Sequence, residues 1–362
     1  MIRILHVVTY MGRGGLETMI MNYYRKIDRT KVQFDFLVHR DFEADYDSEI
    51  KRLGGKIYSL PRLNPFSGHY LNALDKFFKE HKEYNIVHSH LDCMSCIPLK
   101  YARKNGVPVR IAHSHSSNQT KDKNYILKLF FKRKIKKYAT DLFACSEAAG
   151  KWMFGTDNFK VLNNAIDSNK YVYSFETANK IRVDLGIDKN DFVVGHVGRF
   201  DPPKNHEFII DVFNCLLSKK SDSKLLLVGE GDLRSKIEEK VKSLGLEDKV
   251  IFTGLRSDVP DLLQSMDVFL FPSIYEGLPV SIVEAQASGL PCLISDKVPV
   301  DCKITEHIYT VNLSDGDCAW ANKVLSFVGF KRPDASASIK MSGFDICSNA
   351  EFLENFYMNS NN

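Results

Sequence analysis

Hydrophobic residues recur along this chain in two alternating patterns. Short apolar runs, of which 3–9 is the first, are typical of buried strands. A glycine-rich turn follows, and apolar residues then return at helical spacing over 16–27. Further apolar runs lie at 32–38, 85–90, 109–113 and 141–145. Because strands that alternate with helices pair in parallel, the first half is predicted to form a parallel sheet.

A second series of the same kind begins after a polar, tyrosine-containing stretch at 163–179, which we interpret as an interdomain linker. Its apolar runs lie at 192–197, 224–228, 250–253, 268–271 and 292–294. We therefore predict an α/β chain of two doubly wound, Rossmann-like domains, 1–170 and 171–343, with a terminal helix at 344–362 that can pack back on the first domain. Such sheets bind ligands at the carboxyl ends of their strands, so facing domains would hold a ligand between them.

Composition and charge limit the kinds of partner and the compartment to be expected for this chain. The 362 residues are 44% hydrophobic, and 49 basic against 45 acidic side chains give a net charge of +4, so we expect no nucleic-acid partner. No apolar stretch reaches the roughly 18 residues of a membrane span, and the first ten residues lack a cleavage site, which predicts a cytoplasmic protein. The eight scattered cysteines are expected to be reduced thiols.

Two glutamates in the segment 275–291, just past the apolar run 268–271, form the densest signal. Pro279 suits the first turn of a helix, which would place Glu276 in the preceding loop and Glu284 on the helix. Carboxylates in such positions can accept hydrogen bonds from sugar hydroxyls. The alternative is that Glu284 belongs to a capping box and Glu276 is a solvated loop residue.

Two cations follow the first strand of the second series. Arg199 and Lys204 lie on one loop, where a guanidinium and an ammonium can neutralise a diphosphate and the charge that develops as it departs. The alternative is a pair of surface cations. The turn at Gly229, with a second glycine two residues on, can let the backbone approach a ligand closely, although two glycines alone are weak evidence.

Two strands each carry a pair of histidines on one face, His88 with His90 and His113 with His115. Two cysteines near the first pair raise a zinc site as an alternative, but the segment lacks the compact loop of structural zinc sites. The Asp-x-Asp pairs at 45–47 and 315–317 follow no strong strand and are interpreted as solvated loops. We therefore expect no metal.

Four elements taken together resemble the retaining glycosyltransferases of family 4, which have the GT-B fold. They are the Gly14-Gly15-Leu16-Glu17 turn, the Arg199 and Lys204 loop, the turn at Gly229, and the seven-residue spacing between Glu276 and Glu284. Each is unspecific alone, but their order and strand context agree over nearly the whole chain. The strand ending in His113-Ser114-His115 and the tail from Phe344 are similar to those of bacterial exopolysaccharide and capsule enzymes.

The resemblance implies a role for each matching residue. Arg199 and Lys204 would hold the donor diphosphate, and Glu284 would bind the ribose. Glu276, with the backbone of Gly277 and Leu278, would hold the donor sugar. Gly229 would line the donor site, Leu255 would lie near the base, and Gly14 and Gly15 would let a helix N-terminus approach the phosphates. Either His113 or His115 would lie near the reacting sugar, because the doubled histidine leaves the register ambiguous by two residues.

The resemblance also implies the reaction. A hexosyl unit would pass, with retention, from a nucleotide sugar, expected to be UDP-hexose or UDP-N-acetylhexosamine, to a growing glycan linked to a polyprenyl diphosphate. No other cofactor would be required, because the departing diphosphate can accept the proton of the acceptor. The alternatives are a nucleotide-sugar epimerase of related fold and a non-catalytic, two-lobed sugar-binding protein.

A basic segment, Lys128 to Tyr138, carries apolar residues among six cations. As a single helix it could lie on the anionic cytoplasmic face of an inner membrane, which would suit a lipid-linked acceptor. A helix packed on the core with a solvated basic face is the equal alternative.

Overall fold

The computed structural model describes residues 1–116 and 125–360 and divides the chain into two compact units. One comprises Met1–Ala165 with Asp345–Asn362, and the other comprises Ile166–Phe344. The predicted boundaries were 170 and 343. Parts of two predicted segments, 117–124 in the first domain and 361–362 in the terminal helix, lie outside the described residues.

The first unit is built on a seven-stranded parallel sheet, in the order β3-β2-β1-β4-β5-β6-β7. Its elements are β1 Ile2–Val7, α1 Gly15–Lys26, β2 Val32–Val38, α2 Asp47–Arg52, β3 Ile57–Ser59, α3 Gly68–Glu80, β4 Ile86–Ser89, α4 Cys96–Lys104, β5 Val109–Ser114, α5 Tyr125–Lys132, α6 Ile135–Tyr138, β6 Asp141–Ala144, α7 Glu147–Phe154 and β7 Lys160–Val161. Every residue of β2 is buried, as expected of an inner strand covered on both faces.

The second unit has a six-stranded parallel sheet, in the order β10-β9-β8-β11-β12-β13. Its elements are α8 Phe175–Asp184, β8 Phe192–Val197, α9 His206–Leu217, β9 Ser223–Val228, α10 Arg234–Ser243, β10 Val250–Phe252, α11 Val259–Ser265, β11 Val268–Phe271, α12 Val280–Ala287, β12 Cys292–Ser295, β13 Ile308–Val311, α13 Asp317–Leu325 and α14 Ser336–Met341. A buried apolar cluster joins the sheet to α9, α10 and α13.

The last helix, α15 Ile346–Ser360, belongs to the first unit. Ile346, Ala350, Leu353 and Tyr357 recur at helical spacing and are buried with α1 and β2 in one apolar cluster. Glu354 accepts a hydrogen bond from the backbone N–H of Asp28 at 3.0 Å, which ties the helix to the segment after α1. The terminal segment therefore completes the core of the first unit.

Two local expectations need correction. Residues 128–138 do not form one helix, because the amide of Lys134 bonds to the carbonyl of Phe131 in a tight turn that separates α5 from α6. The stretch 163–179 is not all linker, since the Ser174 hydroxyl accepts a hydrogen bond from the amide of Thr177 and caps α8.

The expectation of reduced thiols is wrong for one pair. A disulfide joins Cys215 on α9 to Cys318 on α13, whose Cα atoms are 5.6 Å apart. The two helices pack side by side in the second unit, which brings together cysteines 103 residues apart in sequence.

The helices of the described residues were also compared with the length and hydropathy that a membrane span requires, and none of them meets both requirements.

Candidate active site

The loops that follow β8 and β11 meet in the second unit, because these two strands are neighbours in a parallel sheet. The amide of Ile274 donates to the carbonyl of Pro203 at 2.8 Å, and the side-chain amide of Asn205 donates to the carbonyl of Pro272 at 3.2 Å. These two hydrogen bonds fix the loops to one another at the carboxyl end of the sheet, which is where ligands bind in such folds.

Lys204 and Glu276, one from each loop, form an ion pair with Nζ 2.6 Å from Oε1. Their side chains are 17% and 11% exposed, so the pair is largely shielded from water. The Lys204 ammonium also lies 4.8 Å from the centre of the Phe271 ring, at the end of β11. The sequence predicted a functional role for both residues separately, and the structure brings them into contact.

Arg199 lies on the same loop as Lys204 but is exposed, and its side chain makes no hydrogen bond or ion pair within the described part of the chain. Both cations act on one neighbouring carboxyl group: burial raises the pKa of Asp201, and the positive charges of Lys204 and Arg199 partly oppose that rise. The loop thus carries one cation held by a partner and one presented to solvent.

The turn after β9 shows why glycine is needed there. Gly229 has φ +140°, and a Cβ at this position would lie 2.2 Å from the carbonyl oxygen of Gly198. The Gly229 amide donates to the carbonyl of Gly254 at 3.0 Å, next to Leu255, whose side chain is exposed. Gly229 is therefore required by backbone packing against the β8 loop, and it lies beside the residue expected near the base.

Glu284 is buried on α12, where its Oε1 accepts a hydrogen bond from the Tyr171 hydroxyl at 2.7 Å. Burial raises the pKa of Glu284, and the hydrogen bond from Tyr171 partly opposes the rise. The helix begins at Val280 with Pro279 as its N-cap residue, so Pro279 precedes the first turn and Ser281 lies inside the helix. This geometry does not correspond to the capping-box alternative for Glu284.

The two residues that follow Glu276 differ in exposure. Gly277 is half-buried, and the Leu278 side chain is buried against the protein. The family resemblance assigns the ligand contact to the backbone of Leu278 and not to this buried side chain.

The remaining predicted site residues lie in the first unit. Gly14 is the N-cap residue of α1 and Gly15 is its first residue, and Gly14 has no side chain with which to cap the helix. A Cβ built on Gly15 would meet no atom of the described residues within 4 Å, whereas one on Gly14 would meet the flexible carboxylate of Glu17. The open space at Gly15 leaves room for an anion at a helix N-terminus.

His113 and His115 lie at the end of β5, and each bonds to a histidine of the adjacent β4 segment. Nδ1 of His113 is 3.1 Å from Nε2 of His88, and Nε2 of His115 is 2.9 Å from Nδ1 of His90. Burial lowers the pKa of His115 to about 3 and that of His113 well below its ordinary value, so both imidazoles are neutral at pH 7.

Sequence reasoning missed three residues around these histidines. His6 on β1 bonds through Nδ1 to Nε2 of His90 at 2.9 Å, and the Tyr357 hydroxyl bonds to Nδ1 of His88 at 2.6 Å. Asp92, at φ +44°, accepts a hydrogen bond from the amide of His115 at 3.0 Å. The one signal in the sequence was the position of His6 within the first apolar run, because alternate residues of a strand share a face and its ring must therefore lie on one face of the sheet.

The acidic pairs have structural partners. Asp45 accepts a hydrogen bond from the amide of Arg13 at 3.1 Å, and Asp317 from the amide of Cys318 at 2.9 Å. Asp47 is buried rather than solvated, because it begins α2 and accepts a hydrogen bond from the amide of Ala44 at 3.0 Å. Within the described residues, the clusters with ligand atoms close enough for a metal ion consist of histidines alone.

Comparison with protein families gives two matches that together span most of the chain. Residues 13–170 match the model described as Glycosyltransferase Family 4, and residues 177–326 match the model described as Glycosyl transferases group 1. The putative glycosyltransferase EpsF of Bacillus subtilis is 36% identical over 370 residues, covering 98% of this chain and 96% of that protein. The capsular polysaccharide biosynthesis glycosyltransferase CapH of Staphylococcus aureus is 26% identical, covering 99% of each.

Solved structures resemble the chain over its whole length. Anabaena HepE, determined in complex with UDP and glucose, superposes with a TM-score of 0.81 at 19% identity and covers 99% of this chain and 100% of that one. A glycosyltransferase from Rickettsia africae gives a TM-score of 0.78 at 16% identity, covering 99% and 98%. At such identities the likeness shows the fold alone. None of these four proteins is described as an epimerase or a binding protein.

Proposed function

Since this chain belongs to the glycosyltransferases of family 4, we propose that it transfers a hexosyl unit from a UDP-sugar to a lipid-linked glycan in bacterial polysaccharide synthesis, with retention of configuration. That it is a glycosyltransferase using a nucleotide sugar follows from the family. The base, the acceptor and the residue roles are the proposal. The observation that carries it is the contact between Lys204 and Glu276, which joins two predicted site loops at one sheet edge.

In this proposal, the loop after β8 binds the diphosphate. Lys204, already oriented by Glu276, and the exposed Arg199 neutralise the phosphate oxygens. Gly229 and Leu255 border the base, and the buried Glu284 accepts hydrogen bonds from the ribose. Glu276, with the backbone of Gly277 and Leu278, binds the hydroxyls of the donor sugar. In the first unit, the N-terminus of α1 at Gly14 and Gly15 is proposed to offer backbone N–H donors to an anion.

The transfer itself needs no nucleophile from the protein. The bond between the sugar C1 and the diphosphate oxygen breaks as the acceptor oxygen bonds to C1 from the same face, and the acceptor proton passes to the departing diphosphate. The cations stabilise the negative charge that grows on that group. A neutral imidazole, of His113 or His115, is proposed to orient the donor sugar without adding a charge.

The choice of UDP is supported by the fold relative HepE, which was determined with UDP and with UDP-glucose. The direct test is to incubate the chain with a panel of nucleotide sugars and a polyprenyl-diphosphate-linked sugar, and to follow nucleotide release and product configuration. We expect UDP release and an axial-to-axial (retained) anomeric configuration. Preferred release of GDP or ADP would contradict the base, and an inverted product would contradict the mechanism.

A lipid-linked acceptor is supported by a relative from Escherichia coli named as a galactosyltransferase acting on GlcNAc-diphosphoundecaprenol, 29% identical over 68% of this chain and 67% of that protein. On α5, Ile126 is 82% exposed and Phe130 is 51% exposed. Lysines flank both, and Lys134 lies 3.9 Å from the Phe130 ring centre. We infer that this helix touches the anionic cytoplasmic surface of a membrane.

Vesicle sedimentation tests this inference. We expect the chain to bind vesicles containing anionic lipid and not neutral vesicles, and we expect Ile126→Ser with Phe130→Ser to reduce that binding. Met341→Ser, which changes an apolar residue that is 83% exposed in the second unit, is the matched control. If the variant carrying Ile126→Ser and Phe130→Ser binds these vesicles as well as Met341→Ser does, α5 does not contact the membrane.

A further inference from the structure

Five imidazoles lie together on one face of the first unit's sheet. We call this set the histidine layer; it comprises His6, His88, His90, His113 and His115. They come from the neighbouring strands β1, β4 and β5 or from the residues just after them. The ring centres of His88 and His90 are 4.3 Å apart, and those of His113 and His115 are 4.1 Å apart. The transfer reaction uses at most one or two of these five rings.

The hydrogen bonds within the histidine layer do not use every ring nitrogen. Nε2 of His6, Nε2 of His113 and Nδ1 of His115 are buried and have no hydrogen-bond partner in the described part of the chain. A neutral imidazole carries one N–H and one lone pair. If His115 donates from Nε2 and His113 donates from Nδ1, both unpartnered nitrogens on β5 present lone pairs at once.

We propose that His90, His113 and His115 form a binding site for a divalent transition-metal ion of the zinc type. One ring nitrogen from each of these residues lies within 4.8 Å of the others. Imidazole nitrogens bind Zn²⁺ at about 2.0–2.1 Å, and three histidines with a solvent ligand make a known zinc coordination set. The proposal requires these three nitrogens to approach to Zn–N bonding distance when the ion binds. The expectation of no metal, made from the sequence, weighed the first histidine pair and the two Asp-x-Asp pairs, and it did not consider a site that includes the β5 histidines.

The layer also supplies the outer partners that such a site needs. His113 can donate from Nδ1 to Nε2 of His88, and His90 from Nε2 to Nδ1 of His6, which fixes the tautomer of two ligands. The Tyr357 hydroxyl completes the series at Nδ1 of His88. Asp92, bonded to the amide of His115, places a carboxylate beside the site. Binding costs one hydrogen bond, between His90 and His115.

Metal content of the full-length, untagged chain tests the proposal without reference to transfer activity. The protein is stripped with a chelator, dialysed against micromolar Zn²⁺ and assayed for bound zinc, and Co²⁺ is then used for its visible absorption. We expect one ion per chain and a tetrahedral Co²⁺ spectrum. His90→Gln should weaken binding by at least ~10-fold, and His6→Gln, which alters an outer partner, by ~10-fold to 100-fold.

The matched control is His39→Gln, a buried histidine of the same unit that bonds to the carbonyl of Val8 and the hydroxyl of Tyr70 outside the layer. This variant should keep the ion. Circular dichroism establishes that each variant is folded. A folded wild-type chain that retains no zinc overturns the proposal, as does equal loss in His90→Gln and His39→Gln. Loss in His6→Gln with full retention in His113→Gln overturns the ligand assignment.

Discussion

Nζ of Lys204 lies 2.6 Å from Oε1 of Glu276, although 72 residues separate them in sequence. Each residue follows a different strand, and β8 and β11 are neighbours in the sheet. An ammonium paired in this way is held in one position before a ligand arrives, which lowers the entropy that binding must overcome. In the proposed reaction, the pair links the diphosphate-binding loop to the sugar-binding loop.

We predict that the two members of this pair have separable effects. Lys204→Met should weaken the binding of UDP and of UDP-sugar alike by ~10-fold to 100-fold, because a hydrogen bond to a charged group contributes about 1.5–3 kcal/mol. Glu276→Gln should leave UDP affinity equal or higher, since the lysine loses its competing carboxylate, while sugar transfer falls. Calorimetry with UDP and with the UDP-sugar measures the affinity of each variant for both ligands.

The control for this pair is Lys236→Met, which removes an exposed lysine that pairs with Glu207 on the same unit. It should change neither affinity. If Lys204→Met and Lys236→Met bind UDP equally well, Lys204 does not contact the diphosphate.

The predicted apolar runs match the buried strands in order, because such runs report strand burial locally, but no run was predicted for the partly exposed edge strands β3, β7 and β13. The two-domain α/β fold, the family and the glycosyltransferase activity are confirmed by the family matches and the solved relatives. The motifs carrying Lys204 and Glu276 could be placed at strand ends from their position after an apolar run alone. Which strands are neighbours is set by the topology of the sheet, so the ion pair itself could not be predicted.

Long-range partners were the part that sequence reasoning missed. Tyr171 bonds to Glu284 across 113 positions, and His88 bonds to Tyr357 across 269. Neither tyrosine belongs to a motif or a periodic pattern that distinguishes it from a core residue. These contacts depend on which faces pack together, and hydrophobic periodicity records the presence of a face but not its partner.

Gly15→Ala should fold normally and bind the donor less well. The added methyl group meets no atom within 4 Å in residues 1–116 and 125–360, so we expect an unchanged melting temperature. The same group would fill the space where the proposed phosphates approach the N-terminus of α1, and UDP affinity should fall about 10-fold, or about 1.4 kcal/mol. Thermal melting and calorimetry check both statements.

Gly68→Ala is a close control, because Gly68 is the first residue of α3 and is equally unobstructed. This variant should keep both stability and UDP affinity. A Gly15→Ala protein that binds UDP as tightly as Gly68→Ala would remove α1 from the donor site.

The disulfide between Cys215 and Cys318 should stabilise the second unit. Closing a loop over a sequence separation of 103 restricts the unfolded chain, and such a cross-link contributes up to about 4 kcal/mol. Reductant should therefore lower the urea midpoint of the wild-type chain and leave Cys215→Ser with Cys318→Ser unaffected. Cys347→Ser, an exposed thiol in the first unit, should respond to reductant as the wild type does. An identical wild-type midpoint with and without reductant would contradict this expectation.

Glu284 should make stability depend on pH in a defined direction. Because burial raises its folded-state pKa above the ordinary 4.5, the protonated carboxyl is favoured in the folded chain. Its contribution to the unfolding free energy is complete below pH 4.5 and is lost as pH rises through the folded-state value. Relative to Glu284→Gln, the wild type should therefore lose stability as pH rises from 4.5 to 8, as measured by urea denaturation at each pH. Tyr171→Phe removes the donor that opposes the shift, so the loss should extend to higher pH and become larger in total, whereas Glu239→Gln, at an exposed carboxyl on α10, should reproduce the wild-type curve. Parallel curves for the wild type and Glu284→Gln would show that this carboxyl has the same pKa in the folded and unfolded chains.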